Sequence, residues 1–408
     1  MKEALLFTLL LAAPAAAGDP ARLELGAYLQ EVRSANPEIA AAGAAAAAYS
    51  EKVRQAALPM DPVLEFERMY ADGALGSGAA ERSIGLKQEF RNPYKYRLQK
   101  QAASEESAGY SALRLDKENG VLAEARKAFY YYSLLWNTER LYAENLELLK
   151  RYSTIAETRY SVGQASQGDA LKAQVELSKA LNMLLTAQQE IENAAAGLNA
   201  LRDKPPDAPL GEPDVPEVRP STADYKALEA AALEHNPWLA ALAARKRASV
   251  KKASLARSEY LPDFMLGWKR RSSDNPAMDG TYDVSLGLTV PLWFGRTAAG
   301  SREGRAERDM ASAEYAAGRN ALLLELKEAT VKLDYYARLV ELYSGTVLPQ
   351  AEESLKASEA GYQAGKTDFL DLVDSSRTLL ETRRELFEYR AGYAGWEARV
   401  RALTGEGL

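Results

Sequence analysis

The sequence predicts a mainly α-helical fold that carries a β part and is built twice from one plan. Three observations lead there. Residues 159–171 (RYSVGQASQGDAL) have a counterpart at 361–373 (GYQAGKTDFLDLV), with Gly163 on Gly365, Tyr160 on Tyr362 and Asp169 on Asp371 at one constant offset. Long helical patterns with apolar residues every seventh position precede both stretches. Four short segments, two in each half, alternate apolar and polar residues. Self-similarity at a fixed offset marks an internal duplication.

Taken in order, residues 1–17 read as a signal peptide: Lys2, an apolar run over 4–13 (ALLFTLLLAA) and a small-residue cleavage site at Ala15-Ala16-Ala17. Residues 20–35 form a short helix that ends at Asn36-Pro37, and Pro37 at N1 starts an Ala-rich helix that stops at Pro59. Strands are expected over 63–70 and 82–90, joined by a Gly-rich loop, with Ile84, Leu86 and Phe90 alternating with Ser83, Gly85, Lys87 and Glu89. From 94 to 162 no Pro interrupts a helix. Leu135, Tyr142, Leu149 and Ala156 recur at heptad spacing, as do Leu122, Phe129, Trp136 and Ala143, which implies a left-handed coiled-coil seam. Roughly 65 residues at 1.5 Å each make a helix of about 100 Å. Gly163 ends it through a left-handed residue, and Ser166, with Asp169 three positions on, caps a returning helix over 168–202. Residues 204–220 (KPPDAPLGEPDVPEVRP) hold six prolines and read as a linker.

The second half repeats the plan. Asn236-Pro237 matches Asn36-Pro37, and strands are expected over 264–271 and 282–292. In the last strand Tyr282, Val284, Leu286, Leu288, Val290 and Leu292 point one way, and Asp283, Ser285, Gly287 and Thr289 the other. A second long helix is expected over 296–362 with Leu326, Leu333, Val340 and Val347 at heptad spacing. Gly365 breaks it, and Asp368 caps a helix running to 403.

Composition narrows the function. Fifty-one basic and 57 acidic residues leave a net charge of −6, mixed along the helices, which argues against a nucleic-acid partner. There is no Cys and a single His, His235, so disulfides, thiolate chemistry and His-based metal sites are not expected. No Gly-rich phosphate loop and no acid/base pair stand out, so neither a cofactor nor an enzyme is expected. Four strands with one apolar and one polar face suit a wall between lipid and water, but four cannot close a barrel. Lipid tolerates no open sheet edge, so a membrane reading requires an oligomer. Two chains would supply eight strands and three would supply twelve; a hollow barrel fed by four helices per chain favours three.

The duplicated order of Asn-Pro helix, paired strands, long helix, Y-x-x-G tip and returning helix resembles the TolC family of outer-membrane efflux proteins. Residues 288–296 (LTVPLWFGR) are similar to that family's L-x-x-P-L-F-x-G-G-R segment, and 365–374 (GKTDFLDLVD) to its second-hairpin tip. The resemblance implies a homotrimeric α/β-barrel channel in the outer membrane of a Gram-negative bacterium. Four transmembrane strands per chain meet lipid, and long coiled-coil hairpins form a periplasmic tunnel. It implies a passive exit duct, partnered by a periplasmic adaptor (membrane fusion) protein and an inner-membrane efflux transporter.

The expected division is a signal peptide at 1–17, a first repeat at 18–202, a Pro-rich linker at 203–222 in the equatorial region and a second repeat at 223–408. The resemblance makes Tyr160, Gly163, Ser166, Gly365, Lys366 and Asp368 the adaptor-contact tips. It makes Asp169, Tyr362, Asp371 and Asp374 the periplasmic gate, with Asp371 and Asp374 as rings of carboxylates in the lumen. In the family an Asp of the first hairpin links to a Tyr and an Arg of the second; the Arg position is Thr367 here, with Lys366 beside it. The competing reading is a soluble periplasmic coiled-coil adaptor or scaffold, which explains the heptads but not the strict alternation over 282–292.

Overall fold

The computed structural model describes residues 22–70, 79–164, 166–215, 220, 224–273 and 279–405. The expected signal peptide, the centre of the Gly-rich loop and part of the Pro-rich linker lie outside them. In chain order the elements are β1 (Leu23–Glu24), α1 (Leu25–Ala35), α2 (Pro37–Gln55), β2 (Val63–Tyr70), β3 (Ala79–Phe90), α3 (Pro93–Ser161) and α4 (Gln167–Leu201). There follow β4 (Pro213–Asp214), α5 (Tyr225–His235), α6 (Pro237–Ser258), β5 (Asp263–Ser273), β6 (Tyr282–Thr289), α7 (Phe294–Leu342), a π-helical turn (Tyr343–Val347), α8 (Leu348–Gln363) and α9 (Phe369–Thr404). The chain divides into two compact units, each drawn from both halves of the sequence.

The first unit comprises Met1–Asn36, Leu122–Thr222 and Lys332–Ala398. Its heptad residues Leu122, Phe129, Leu135, Leu149, Ala156, Leu333 and Val340 are buried, as the seam requires. A cluster of Leu146, Leu149, Tyr152, Ala156, Ala173, Leu355, Tyr362, Phe369 and Leu372 joins α3, α4, α8 and α9. α1 lies against this bundle: Tyr28 is buried and donates to Leu198 O at 3.3 Å, and the Tyr28 and Phe129 rings are 5.9 Å apart. Two observations depart from the sequence reading. The described part of the Pro-rich segment is strapped down, with β4 pairing β1 in parallel and Tyr132 donating to Gly211 O at 3.4 Å. The helix expected over 296–362 is not uniform. Pro349 lacks the N–H that an α-helix would use and its ring crowds the carbonyl four residues back, and the wider turn Tyr343–Val347 absorbs the misfit.

The second unit comprises Pro37–Val121, Ala223–Val331 and Arg399–Leu408. It holds the four-stranded sheet, in the order β2-β3-β5-β6 and antiparallel throughout. β6 stops at Thr289, short of the expected 292, because Pro291 cannot donate to a ladder. The strands are tied to the helices by one buried cation. Lys95, in the first turn of α3, is 1% exposed; its Nζ donates to Asp263 at 2.9 Å and Glu259 at 3.1 Å. Asp263 also accepts from the Asn92 backbone N–H at 2.8 Å. The start of α3, the end of α6 and the start of β5 therefore share one charged knot.

The asparagine of each Asn-Pro motif does the same structural task. Asn36 and Asn236 are buried, and their side-chain amides donate to the last carbonyls of the returning helices, Leu201 O at 2.8 Å and Leu403 O at 3.0 Å. These carbonyls lack intrahelical donors, so the asparagines terminate α4 and α9.

Replacing Lys95 with Met keeps the bulk of the side chain and removes the buried cation, leaving Asp263 with the Asn92 N–H and Glu259 with the more distant Arg91. Unfolding of the solubilised protein should show a loss of about 1.5–3 kcal/mol. A loss below about 1 kcal/mol would mean the knot is solvated and not structural.

Candidate functional site

The two helical tips lie in the first unit and share one backbone design. Gly163 has φ +73° and Gly365 has φ +70°, the left-handed conformation that ends a helix without a Cβ clash. Gly163 N–H bonds Tyr160 O at 3.0 Å and Gln164 N–H bonds Arg159 O at 2.8 Å; Gly365 N–H bonds Tyr362 O at 3.1 Å and Lys366 N–H bonds Gly361 O at 2.9 Å. Both are Schellman closures. Ser166 Oγ accepts from Asp169 N–H at 3.1 Å while the Asp169 carboxylate accepts from Ser166 N–H at 3.2 Å, a complete capping box. In the second tip Asp368 Oδ1 accepts from Asp371 N–H at 2.9 Å. Tyr160, Gly163, Ser166, Gly365, Lys366 and Asp368 are all exposed.

The equivalent tyrosines have diverged. Tyr160 is 46% exposed, whereas Tyr362 is 5% exposed and packs edge-on to Phe369 at 5.9 Å. Over its ring, at 4.5 Å, lies the guanidinium of Arg159, whose Nη2 donates to Gln363 O at 2.9 Å. Burial pushes the Tyr362 phenol above its ordinary range; Arg159 pulls it down and Asp169 adds to the push. Asp169 is thus near enough to act on Tyr362, although its own hydrogen bonds go to Ser166. The Tyr362 hydroxyl and Thr367 Oγ1 are buried, with no hydrogen-bond partner among the described residues. Arg159 escaped sequence reasoning; its one signal was its place four residues before a Gly whose counterpart tip carries no Arg.

Asp371 and Asp374 are exposed on one face of α9, while Leu372 and Val373 between them are buried in the bundle. The structure therefore brings these two carboxylates together on a surface and leaves Asp169 on the neighbouring hairpin.

The sheet in the second unit has two contrasting faces. Opposite residues of an antiparallel pair share a face, so the register puts Leu64 with Leu86 and Trp268, Phe66 with Ile84, and Phe264 with Phe90 and Leu288. Leu266 pairs Leu286 on that face, where Leu286 is 82% exposed and Val284 75%. The other face carries Glu67 paired with Lys269, and Arg271 paired with Asp283 at 2.6 Å and with Glu81 at 3.1 Å. An apolar face this bare beside a charged one is the pattern of a membrane β-wall. Among the described residues no helix is long and apolar enough to cross a membrane.

The family model for outer membrane efflux proteins matches residues 228–406. The cobalt-zinc-cadmium resistance protein CzcC of Cupriavidus metallidurans is 28% identical over 269 residues, 64% of this chain and 62% of CzcC. Outer membrane protein TolC of Escherichia coli is 23% identical over 410 residues, 92% of this chain and 81% of TolC. Residues 228–406 thus carry the pattern of the outer membrane efflux family. Its fold superposes on the outer membrane protein VceC of Vibrio cholerae with a TM-score of 0.80 at 19% identity, over 94% of this chain and 96% of that one.

The Arg159→Ala variant removes both the cover over Tyr362 and the bond to Gln363 O. A hydrogen bond from a charged group contributes about 1.5–3 kcal/mol. Hydrogen exchange of the backbone amides in 362–369 should therefore quicken at least tenfold, with α3 above Tyr152 unaffected. Unchanged exchange would show that the tip is held by its cap alone.

Proposed function

We propose that three copies of this chain form a passive outer-membrane channel, the exit duct of a tripartite efflux pump. It receives substrates from an inner-membrane transporter through a periplasmic adaptor. The observation that carries this is the sheet: an exposed apolar face, a charged opposite face and two open edges, in a chain whose residues 228–406 carry the outer membrane efflux pattern. A soluble adaptor or scaffold has no use for such a face. The division into a leader at 1–17, repeats at 18–202 and 223–408 and a linker at 203–222 belongs to this proposal.

The tips at Gly163 and Gly365 dock the adaptor, with Tyr160, Ser166, Lys366 and Asp368 on the docking surface. Asp371 and Asp374 face the lumen, where a threefold axis makes each a ring of carboxylates that attracts cations. Asp169 and Tyr362 hold the gate. Their support is the exposed carboxylate pair on α9, the cap that fixes it, and the nearness of Asp169 to Tyr362. The pump supplies the energy and determines the cargo.

Planar-bilayer recording tests the channel and its entrance. The wild type should prefer cations and be blocked by multivalent cations from the periplasmic side; CzcC, a cobalt-zinc-cadmium resistance protein, puts Zn²⁺ among those to try. Asp371→Ala/Asp374→Ala should abolish both properties, and Asp169→Ala should raise conductance. Preference and block that survive the double substitution would contradict the carboxylate rings. For the membrane face, Leu286→Arg should destabilise insertion by about 2–4 kcal/mol, whereas Ser285→Arg, one residue along, should be tolerated. Equal effects on membrane yield would mean the faces are assigned wrongly.

A further inference from the structure

Helices α2, α3, α6 and α7 of the second unit surround a cleft of about 480 Å³. Small residues make the room. A Cβ at Gly109 of α3 would meet Ala244 Cβ of α6 at 3.5 Å, so these two helices approach closely. Ala241, Ala248 and Ala311 on the wall are buried and leave space that longer side chains would fill. Large side chains stand around this floor. Trp238 and Leu242 of α6 lean across Gly318 of α7, where a Cβ would lie 3.1 Å from the indole. Tyr49 of α2 and Tyr110 of α3 stack with ring centroids 3.5 Å apart. Trp238, Tyr49 and Tyr110 all line the cleft and are half-buried, so part of each ring stays accessible.

Four charged side chains line the cleft: Glu106, Arg245, Lys252 and Glu307. Lys252 pairs with Glu106, and Arg245 pairs with Glu314 at 3.2 Å. Glu307 is exposed and has no ion pair among the described residues. The lining therefore carries one uncompensated negative charge beside aromatic faces and an apolar floor. Aromatic faces are electron-rich and attract cations. The wall shows this already, because the Lys52 ammonium lies 3.7 Å over the Tyr49 ring. A metal ion would need several oxygen, nitrogen or sulfur ligands at once, and no such cluster occurs among the described residues. A large, weakly hydrated organic cation needs what the cleft offers: one carboxylate for its charge, ring faces around that charge and apolar surface for its hydrocarbon. The volume lies in the range of small-molecule sites.

We propose that this cleft is a binding site for hydrophobic organic monocations of the aromatic ammonium or phosphonium class. Glu307 supplies the counter-charge, Trp238 with the stacked Tyr49 and Tyr110 supplies the aromatic wall, and Leu242 and the alanines supply the floor. The cleft is built within one unit of one chain, so the inference does not depend on the channel reading. It gives the chain a ligand class and a site remote from the carboxylates of α9.

Two ions of one shape and opposite charge test the site: tetraphenylphosphonium and tetraphenylborate. Binding is measured by equilibrium dialysis of the detergent-solubilised protein, with detergent alone as the blank. The wild type should bind the phosphonium at least about tenfold more tightly than the borate. Glu307→Gln keeps the size of an exposed side chain and should weaken the phosphonium at least about fivefold without weakening the borate. Trp238→Leu keeps an apolar side chain but removes the ring, and should weaken the phosphonium more than the borate. Glu328→Gln, about 30 Å further along α7, should bind both ions as wild type does. So should Asp371→Ala/Asp374→Ala. Equal affinity for the two ions, or a preference for the borate, would overturn the proposal. An unchanged phosphonium affinity in Glu307→Gln, or an equal loss in Glu328→Gln, would do the same. Binding lost only in the Asp371→Ala/Asp374→Ala variant would move the phosphonium to the α9 carboxylates and rule out the cleft. Conductance of the same samples reports separately on the channel reading.

Discussion

The two edges of the four-stranded sheet govern the rest. β2 and β6 each pair on one side only, so each leaves a row of backbone N–H and C=O groups for a partner strand. In water such an edge is a liability; in hydrocarbon every unpaired group costs several kcal/mol. The exposed apolar face, with Leu286 and Val284 bare, demands hydrocarbon. One chain cannot meet both conditions. Copies of the chain can, when β6 of one closes on β2 of the next. Eight strands from two chains would leave an interior just wide enough for side chains, whereas twelve from three leave a lumen. The polar face, with its ion pairs between Glu67, Lys269, Arg271, Glu81 and Asp283, then lines water.

A wall of this kind is useful only if its strands hand over to helices without slack. The handover is a buried charge knot. Lys95 is fully desolvated and satisfied by two carboxylates from the end of α6 and the start of β5, so the first turn of α3 is held in one place. Elsewhere the chain relies on termini. Buried Asn36 and Asn236 close α4 and α9, and paired Schellman turns close α3 and α8. Duplication reused these closures and varied what they carry. The cap position is Ser166 in one tip and Asp368 in the other, and the tyrosine three residues before the tip glycine is exposed as Tyr160 but buried as Tyr362.

Much of this is legible in the sequence alone. The alternation over 282–288 assigned the outward face of β6, because a strand has a period of two and a single slip would have reversed every side chain. The glycines of the tips and the cap residues Ser166 and Asp368 are readable in the sequence, because helix ends use few residue types. What was not legible depends on contacts far apart in sequence. Lys95 looks like any other charged helix residue until Glu259 and Asp263 surround it. Arg159 became visible only when α8 brought Tyr362 beneath it. The π-helical turn at Tyr343–Val347 was hidden by a heptad count that ran smoothly from Leu326 to Val347 and passed over Pro349. The pairing of Leu23 with Pro213 was hidden because Pro-rich composition reads as linker.

The central claim is that each chain supplies four strands to a barrel closed by three chains through the β2 and β6 edges. The chain has no cysteine, so introduced pairs report without background. Cysteines scanned in pairs, one on β2 around Phe66 and one on β6 around Val284, can be oxidised in intact outer membranes and counted by denaturing electrophoresis. Pairs in register should give a covalent ladder that ends at three chains. A ladder that ends at two, or protein that stays monomeric across the whole scan, would contradict the account.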